Sequence, residues 1–373
     1  MNVVFAVTHI AVPGAQSAPR ETETQPRALL GYQGQRPWLV PLSAVYGRAA
    51  RLRRSWYARH PDARRRLERP VISVGNLVVG GSGKTPVVAT IARLLMARGQ
   101  RPAILSRGYA RRRASEGVVV VSDGQRVMTP VEASGDEPQM LARTLPGVPV
   151  LVCSDRYLAG RLAETHLGCT VHLLDDGFQH LQLARDTDLL IVAPADLDAR
   201  VLPAGPLREP ADAGREADAI VVPGSAEEAM AVGATLGVDT VFTMTRRYGA
   251  VRLLEETGRL KAAPTTNVEG AFRRPGARVI AVAGISRPER FFAALRDQGW
   301  DVRQEMRFPD HHWYTARDLD AIEQARERRG ADLVITTEKD AVRISARPRW
   351  AALPVDVDIE PAAVFAQWIV GRL

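Results

Sequence analysis

A glycine-rich loop at residues 78–85 constrains the fold of this chain more than any other segment. It follows an apolar run at 71–74 that is typical of a short buried strand, and it precedes apolar residues at helical spacing over 87–95. This order of strand, glycine loop and helix predicts a phosphate-binding P-loop. The predicted nucleotide-binding residues are Val78, Val79, Gly80, Gly81, Ser82, Gly83, Lys84 and Thr85.

The residue types in this loop suit a nucleotide phosphate as ligand. Glycines allow successive backbone N–H groups to curl around an anion, and the start of the following helix adds positive potential. Lys84 supplies a charge for the β- and γ-phosphates, and the Thr85 hydroxyl can bind Mg²⁺. The chain departs from the strict pattern at one position, because Val78 stands where that pattern has its first glycine.

Charge is distributed unevenly along the chain. The formal net charge is +8, and residues 48–69 contain nine arginines against two acidic residues. The remainder is nearly neutral, which argues against a nucleic-acid-binding protein that is basic throughout. Two cysteines are too few for a disulfide framework or a zinc cluster, and no run of 18 or more apolar residues predicts a membrane span.

Residues 38–56 predict a basic amphipathic helix with arginines on its polar side. Two interpretations of this helix are open: attachment to an anionic membrane surface, or packing of the apolar stripe on the protein core. The stripe consists of Trp38, Leu42, Val45, Ala49, Leu52 and Trp56.

From residue 71 onward, strand-like and helix-like segments alternate. This rhythm predicts an α/β fold with a P-loop NTPase-like, mainly parallel sheet and helices on both faces. The rhythm changes near 241–266, where 241–246 and 250–254 predict a hairpin or an extended linker, and a second αβ unit follows. The predicted division is an irregular extension at 1–35, the amphipathic helix at 36–69, a P-loop domain at 70–240, a hairpin or linker at 241–276 and a smaller α/β domain at 277–373.

Two adjacent carboxylates, Asp175 and Asp176, end the apolar run at 171–174. In a P-loop fold an aspartate at this place reaches the Mg²⁺ beside the nucleotide phosphates. The alternative is a structural aspartate that caps a turn. The P-loop upstream favours the metal role.

Three further segments carry candidate chemistry. Asp136 and Glu137 begin a helix, where an acid is also stabilised by the helix dipole alone. The Asp310-His311-His312 run offers a histidine that can orient a carboxylate while it accepts a hydroxyl proton. Arg208, in a proline-rich turn, can stabilise a transferring phosphoryl group or pair with Glu209. The Thr-Glu-Lys-Asp run at 337–340 has the wrong order for guanine recognition and indicates a structural ion pair.

Taken together, these segments resemble the tetraacyldisaccharide 4'-kinase family, the lipid A kinases of Gram-negative bacteria. The resemblance covers nearly the whole chain from about residue 38, and the P-loop, SGDEP (134–138) and DDGFQH (175–180) are its most specific motifs. The other matching stretches include SRGYARR (106–112), LPAGPLREP (202–210), GISRPERFF (284–292), FPDHHWYT (308–315) and TTEKDAVRI (336–344).

The resemblance implies an enzyme that uses ATP and Mg²⁺ to phosphorylate the 4'-hydroxyl of a tetraacylated glucosamine disaccharide 1-phosphate. It implies Asp136 as the catalytic carboxylate and His311 as its partner, which requires the two predicted domains to close over the substrate. The remaining implied roles are phosphate and metal binding by Lys84, Thr85, Asp175 and Asp176, positions near the nucleotide and transferring phosphate for Gln179, His180 and Arg208, and disaccharide binding by Tyr109.

The family also implies a location, the cytoplasmic face of the inner membrane, which favours the membrane interpretation of residues 38–56. No obligate protein partner is evident. Two other functions remain open: a P-loop ATPase or GTPase that energises a membrane partner, and a membrane-surface adaptor that binds nucleotide structurally. The first would hydrolyse nucleotide without the disaccharide, and the second would keep its function without Asp175 and Asp176.

Overall fold

Two β-sheets organise the part of the chain that the computed structural model describes. The described residues are 37–81, 83–113, 116–254, 276–345 and 347–373. Ser82 of the glycine loop, the predicted extension at 1–35 and residues 255–275 of the predicted linker lie outside them.

The larger sheet has the order β14-β8-β7-β6-β1-β5-β2-β4-β3. Its strands are parallel except at the two edges, where β3 and β14 run antiparallel to their neighbours. The strands are β1 (Val71–Asn76), β2 (Pro102–Ser106), β3 (Val119–Asp123), β4 (Pro149–Val152), β5 (Val171–Asp175), β6 (Thr187–Ile191), β7 (Ala219–Val222), β8 (Val241–Tyr248) and β14 (Val355–Glu360).

Helices cover both faces of this sheet, as the sequence predicts. Strand β1 is buried along its whole length because Ile72 and Val74 pack into one core while Val71 packs into another on the opposite face. Such burial on both sides is typical of central parallel strands. The helices of this part are α1 (Val40–Arg59), α2 (Lys84–Ala97), α3 (Val131–Ser134), α4 (Asp136–Thr144), α5 (Arg156–His166) and α6 (Ala226–Leu236).

The smaller sheet has the order β11-β10-β12-β13-β9, and only β9 is antiparallel. Helix α7 (Pro288–Asp297) packs Phe292 and Leu295 on one face, and α8 (Ala316–Arg328) packs Ile322 on the other. The strands are β9 (Arg252–Leu253), β10 (Arg278–Ala283), β11 (Asp301–Arg307), β12 (Leu333–Thr337) and β13 (Trp350–Leu353). A short helix, α9 (Glu338–Ala341), follows β12 directly.

Two sequence-based expectations near the domain junction differ from the structure: the hairpin alternative for 241–254, and the assignment of the whole chain after residue 277 to the smaller domain. Segments 241–246 and 250–254 do not form a hairpin, because β8 joins the larger sheet between β7 and β14 whereas β9 pairs with β13 of the smaller one. The chain after β13 also does not stay in the smaller domain. Strand β14 pairs with β8, and α10 (Ala362–Val370) packs the ring of Phe365 5.0 Å from that of Phe242.

The apolar stripe of helix α1 does not pack on the core. Trp38 is 73% exposed, and both Val45 and Leu52 are 66% exposed, whereas Ser43 and Arg54 on the opposite side are buried. The packing alternative for this stripe is therefore wrong. Among the described helices, none combines the length and the apolar character needed to cross a bilayer.

Candidate active site

The glycine loop connects β1 to α2 in the geometry of a phosphate cradle. Gly80 and Gly83 have φ angles of +108° and +95°, in the region that side chains with a Cβ rarely adopt. At the start of α2, Lys84 Nζ donates a 2.9 Å hydrogen bond to Asn76 Oδ1 and lies 3.5 Å from Asp176 Oδ1. The lysine is thus held over the loop by the last residue of β1.

The proline-rich turn at 202–209 braces the other side of the loop. The backbone N–H of Arg208 donates to the Leu77 carbonyl at 2.7 Å, and that of Val79 donates to the Pro206 carbonyl at 2.9 Å. Val78 is buried and forms a β-bridge with Leu207. Val78 therefore serves the core where the strict motif has glycine, and the Val79 amide is already engaged by the chain.

Asp176 is the electrostatic centre of this part of the site. Arg208 Nη1 donates to its Oδ2 at 2.7 Å, and Gln179 joins by accepting from the same arginine at 3.5 Å and donating to the Asn76 carbonyl at 3.0 Å. Burial opposes ionisation of Asp176, but Lys84 and Arg208 outweigh burial and lower its pKa. Its φ of +60° is unusual for a residue other than glycine and is typical of strained functional positions.

Asp175, at the end of β5, lies in a different environment. Burial, followed by the nearby negative charges of Glu137 and Asp176, raises its pKa. Its Oδ1 is buried and accepts no hydrogen bond. A buried carboxyl group that lies among negative charges and has an oxygen without a hydrogen-bond partner is suited to bind a cation.

The donor set fits Mg²⁺ in particular. Within the described residues, no three His, Cys, Asp or Glu side chains gather into a metal site by themselves. Magnesium is usually held by one or two carboxylates together with substrate phosphates and water. Asp175, Asp176 and the Thr85 hydroxyl at the start of α2 are residues that can contribute to such a site.

His180 is less directly connected to the phosphate cradle. Its Nε2 is buried without a hydrogen-bond partner. Burial, and then the charges of Arg156 and Arg185, lower its pKa to about 3, so the ring is neutral at physiological pH.

The predicted Asp–His pair forms across the two sheets. His311 Nδ1 lies 2.9 Å from Asp136 Oδ2, so a residue that follows β11 of the smaller sheet meets the first residue of α4 on the larger one. The neighbouring His312 instead lies 3.1 Å from Asp318. Tyr109 is 69% exposed and packs edge-on against His311, with ring centroids 5.6 Å apart.

Sequence reasoning missed the cations around this pair. Lys339 Nζ and Arg343 Nη2 lie 3.8 Å and 3.5 Å from Asp136 Oδ2. Burial raises the pKa of Asp136, but the His311 hydrogen bond, Lys339 and Arg343 together outweigh it and lower that pKa to about 2. The Thr-Glu-Lys-Asp run was the available signal, since it places a lysine two residues after the end of a buried strand. Its ion pairs are real, but they are made at the candidate catalytic carboxylate.

Glu137 connects the two clusters. It lies 3.5 Å from Lys339 Nζ, and its charge contributes to the raised pKa of Asp175. The Asp136–His311 pair and the two carboxylates after β5 therefore lie near each other, and the phosphate cradle reaches these carboxylates through Lys84, 3.5 Å from Asp176.

Comparison with known proteins shows which proteins this chain resembles. Residues 35–373 match the LpxK family, described as tetraacyldisaccharide-1-P 4'-kinase. The chain is 43% identical over 316 residues to the tetraacyldisaccharide 4'-kinase of Geobacter metallireducens, which covers 82% of this chain and 88% of that protein. For the protein of the same name from Pelobacter propionicus the identity is 42% over 317 residues, and 84% of each chain is covered.

A solved structure extends the likeness to the fold. The crystal structure of LpxK from Aquifex aeolicus in complex with ATP matches with a TM-score of 0.73 and 34% identity, covering 90% of this chain and 98% of that one. The family match, the sequence identities and the shared fold together show that this chain belongs to the tetraacyldisaccharide 4'-kinase family.

Proposed function

We propose that this chain transfers the γ-phosphate of ATP to the 4'-hydroxyl of a tetraacylated glucosamine disaccharide 1-phosphate, with Asp136 as the proton acceptor. Family membership supports the reaction and its substrates. The observation that carries the residue assignment is the 2.9 Å contact between Asp136 and His311 beside the phosphate cradle. A buried carboxylate with a histidine partner, next to a P-loop, provides the groups that phosphoryl transfer to a hydroxyl requires.

The reaction balances with the residues of this site. The acceptor oxygen attacks the γ-phosphorus, its O–H proton passes to Asp136, and the bond from the γ-phosphorus to the bridging oxygen of ADP breaks. Lys84 and Arg208 offer positive charge where the phosphoryl group carries negative charge in the transition state. His311 orients the Asp136 carboxylate. Through the same hydrogen bond it stabilises the carboxylic acid that forms when Asp136 accepts the proton.

Asp175, Asp176 and Thr85 would hold Mg²⁺ beside the nucleotide. The buried, unpartnered oxygen of Asp175 supports this assignment. When bound, the cation supplies neutralisation of charge on the β- and γ-phosphate oxygens. Gln179 contacts both Arg208 and the Asn76 carbonyl at the end of β1, and so fixes the positions of both relative to these carboxylates.

Helix α1 would bring the enzyme to its acylated acceptor at an inner-membrane surface. Its exposed tryptophans and aliphatic residues form one stripe, and exposed arginines such as Arg48 and Arg51 flank that stripe. Exposed apolar and basic residues on one helix suit a membrane interface with anionic lipids. Tyr109, exposed beside His311, is placed to contact the sugar of the acceptor.

Incubation with γ-labelled ATP and the disaccharide 1-phosphate in mixed micelles tests the proposal. The label is expected on the lipid, with free phosphate remaining at the level of a no-enzyme control. Free phosphate released at the same rate with and without the disaccharide would favour the ATPase alternative. Transfer retained in Asp175→Ala and Asp176→Ala variants would overturn the metal assignment.

A further inference from the structure

Lys339 lies at the junction of the two sheets, surrounded by acceptors from both. It belongs to α9 of the smaller sheet, and its side chain is only 19% exposed. Its Nζ is 3.2 Å from Asp310 Oδ1, 3.5 Å from Glu137 Oε1 and 3.4 Å from His311 Nε2. The lysine therefore contacts the same histidine that contacts Asp136.

This contact agrees with the Asp136 contact on which ring nitrogen of His311 carries the proton, because an ionised carboxylate only accepts and Nδ1 must donate to it. A lysine ammonium has only donors, so Lys339 donates to Nε2 and Nε2 must accept. A neutral imidazole that accepts at Nε2 carries its hydrogen on Nδ1. The Nδ1–H then donates to Asp136 Oδ2 at 2.9 Å.

The same arrangement leaves one oxygen of Asp136 for the reaction. The contacts made by His311, Lys339 and Arg343 are all to Oδ2. Oδ1 of the carboxylate is thus the atom left to accept a proton from the acceptor hydroxyl.

Charge around Lys339 favours its ammonium form. Burial lowers its pKa, but Glu137, Asp136 and Asp310 outweigh burial and raise it above its ordinary value. The charged groups around the lysine come from three segments of the chain, and in its own segment Asp340 and Arg343 pair with each other at 2.8 Å. These groups are Asp136 and Glu137 on α4, Asp310 and His311 after β11, and Asp340 and Arg343 on and after α9.

We propose that Lys339 is a positioning residue for the kinase reaction: together with Asp136 it favours the Nδ1–H tautomer of His311, and it so holds Asp136 ready to accept the hydroxyl proton. This inference rests on the proposed function. Asp136 and Glu137 belong to the larger-sheet part of the chain, whereas His311 and Lys339 belong to the smaller-sheet part. The Asp136–His311 pair is therefore correctly oriented only when these two parts are together. The cation thereby couples domain closure to readiness of the base.

The test compares Lys339→Met with Arg347→Met in the full-length protein. Arg347 makes an exposed ion pair with Asp320 at 3.3 Å, outside the site. We expect kcat of Lys339→Met to fall by about 10²-fold because the base is misoriented, while the Kd for ATP changes less than about twofold. The acid limb of the kcat/KM profile is expected to move to higher pH, since Asp136 loses a neighbouring cation.

The tautomer is read separately from activity. Two-bond ¹H–¹⁵N spectra of histidine-labelled protein, assigned with a His311→Gln variant, are expected to show Nδ1–H in the wild type and a shift toward Nε2–H in Lys339→Met. If Lys339→Met does not fold, Lys339→Gln carries the pH-profile test, because its amide keeps a donor but loses the charge.

Two results would overturn the proposal. One is a kcat for the lysine variant within about twofold of the wild type. The other is a lower kcat with unchanged tautomer and unchanged acid limb, which a merely structural lysine would give. Failure of the wild type to phosphorylate the disaccharide would instead contradict the proposed function, and the tautomer spectra would still decide the role of Lys339.

Discussion

Arg54 on helix α1 donates a 2.7 Å hydrogen bond from Nε to Glu209, the residue next to Arg208. Arg54 is buried, contacts Glu216 at 3.0 Å and lies over the ring of Phe178, in the segment that follows Asp175 and Asp176. One residue thus connects the exposed helix to both the Arg208 turn and the carboxylate loop.

Replacing Arg54 by methionine is expected to destabilise the protein by about 3 kcal/mol, because Glu209 would remain buried without its partner. Urea denaturation measures the loss. The matched control is Arg51→Met, whose pair with Asp212 is exposed and is expected to contribute less than about 1 kcal/mol. Equal effects of the two substitutions would show that Arg54 does not anchor the helix.

Adjacent histidines provide a matched pair for the catalytic assignment. His311→Gln is expected to lower kcat by about 10²-fold or more, since the imidazole that orients Asp136 is lost. His312→Gln is expected to retain most activity, because His312 contacts Asp318 instead. Steady-state transfer assays make the comparison, and a greater loss in the His312 variant would reverse the assignment.

Membrane attachment depends on the exposed stripe of α1 if the proposal is correct. Substitution of Trp38 and Trp56 by glutamate is expected to release the protein from vesicles that contain anionic lipid, as measured by co-sedimentation. Met230→Glu is the control, since Met230 is 66% exposed on α6 outside the stripe. Binding that survives the double substitution and falls with Met230→Glu would place the membrane contact elsewhere.

A buried histidine makes stability depend on pH. Burial lowers the pKa of His172 below its ordinary value of 6.5, although Glu164 at 3.1 Å opposes the shift. Below pH 6.5 the unfolded chain therefore binds a proton that the folded chain resists, and stability falls with decreasing pH by up to about 1.4 kcal/mol per unit. Denaturation from pH 7 to pH 5 is expected to show a shallower decline in His172→Asn, and an unchanged slope would contradict this.

The features that local sequence patterns predicted are those that depend on neighbours along the chain. Strand, glycine loop and helix follow one another at 71–97, so the P-loop and the α/β class were predictable and the fold is confirmed. Features that depend on distant segments were not. The return of β14 to β8, the burial of Arg54 against Glu209 and the contact of Lys339 with Asp136 all join residues far apart in sequence.

The candidate site shows the same difference between features set by local sequence and features set by distant segments. The Asp136–His311 pair was predicted from the family's motifs, and the two residues do meet. The motifs around Asp136 and His311 do not indicate that Lys339 and Arg343 lie beside the pair. A surface ion pair and a buried ion pair have the same sequence signature. The roles of the individual residues stay predictions that the experiments above address.

The central claim is that Asp136 accepts the hydroxyl proton during transfer of phosphate to the disaccharide. Rapid-quench measurement of label transfer from γ-labelled ATP by Asp136→Asn tests it most directly, because the amide preserves shape but cannot accept the proton. The account predicts a rate of transfer at least about 10²-fold below the wild type with ATP binding retained. Transfer at a rate near that of the wild type would contradict it.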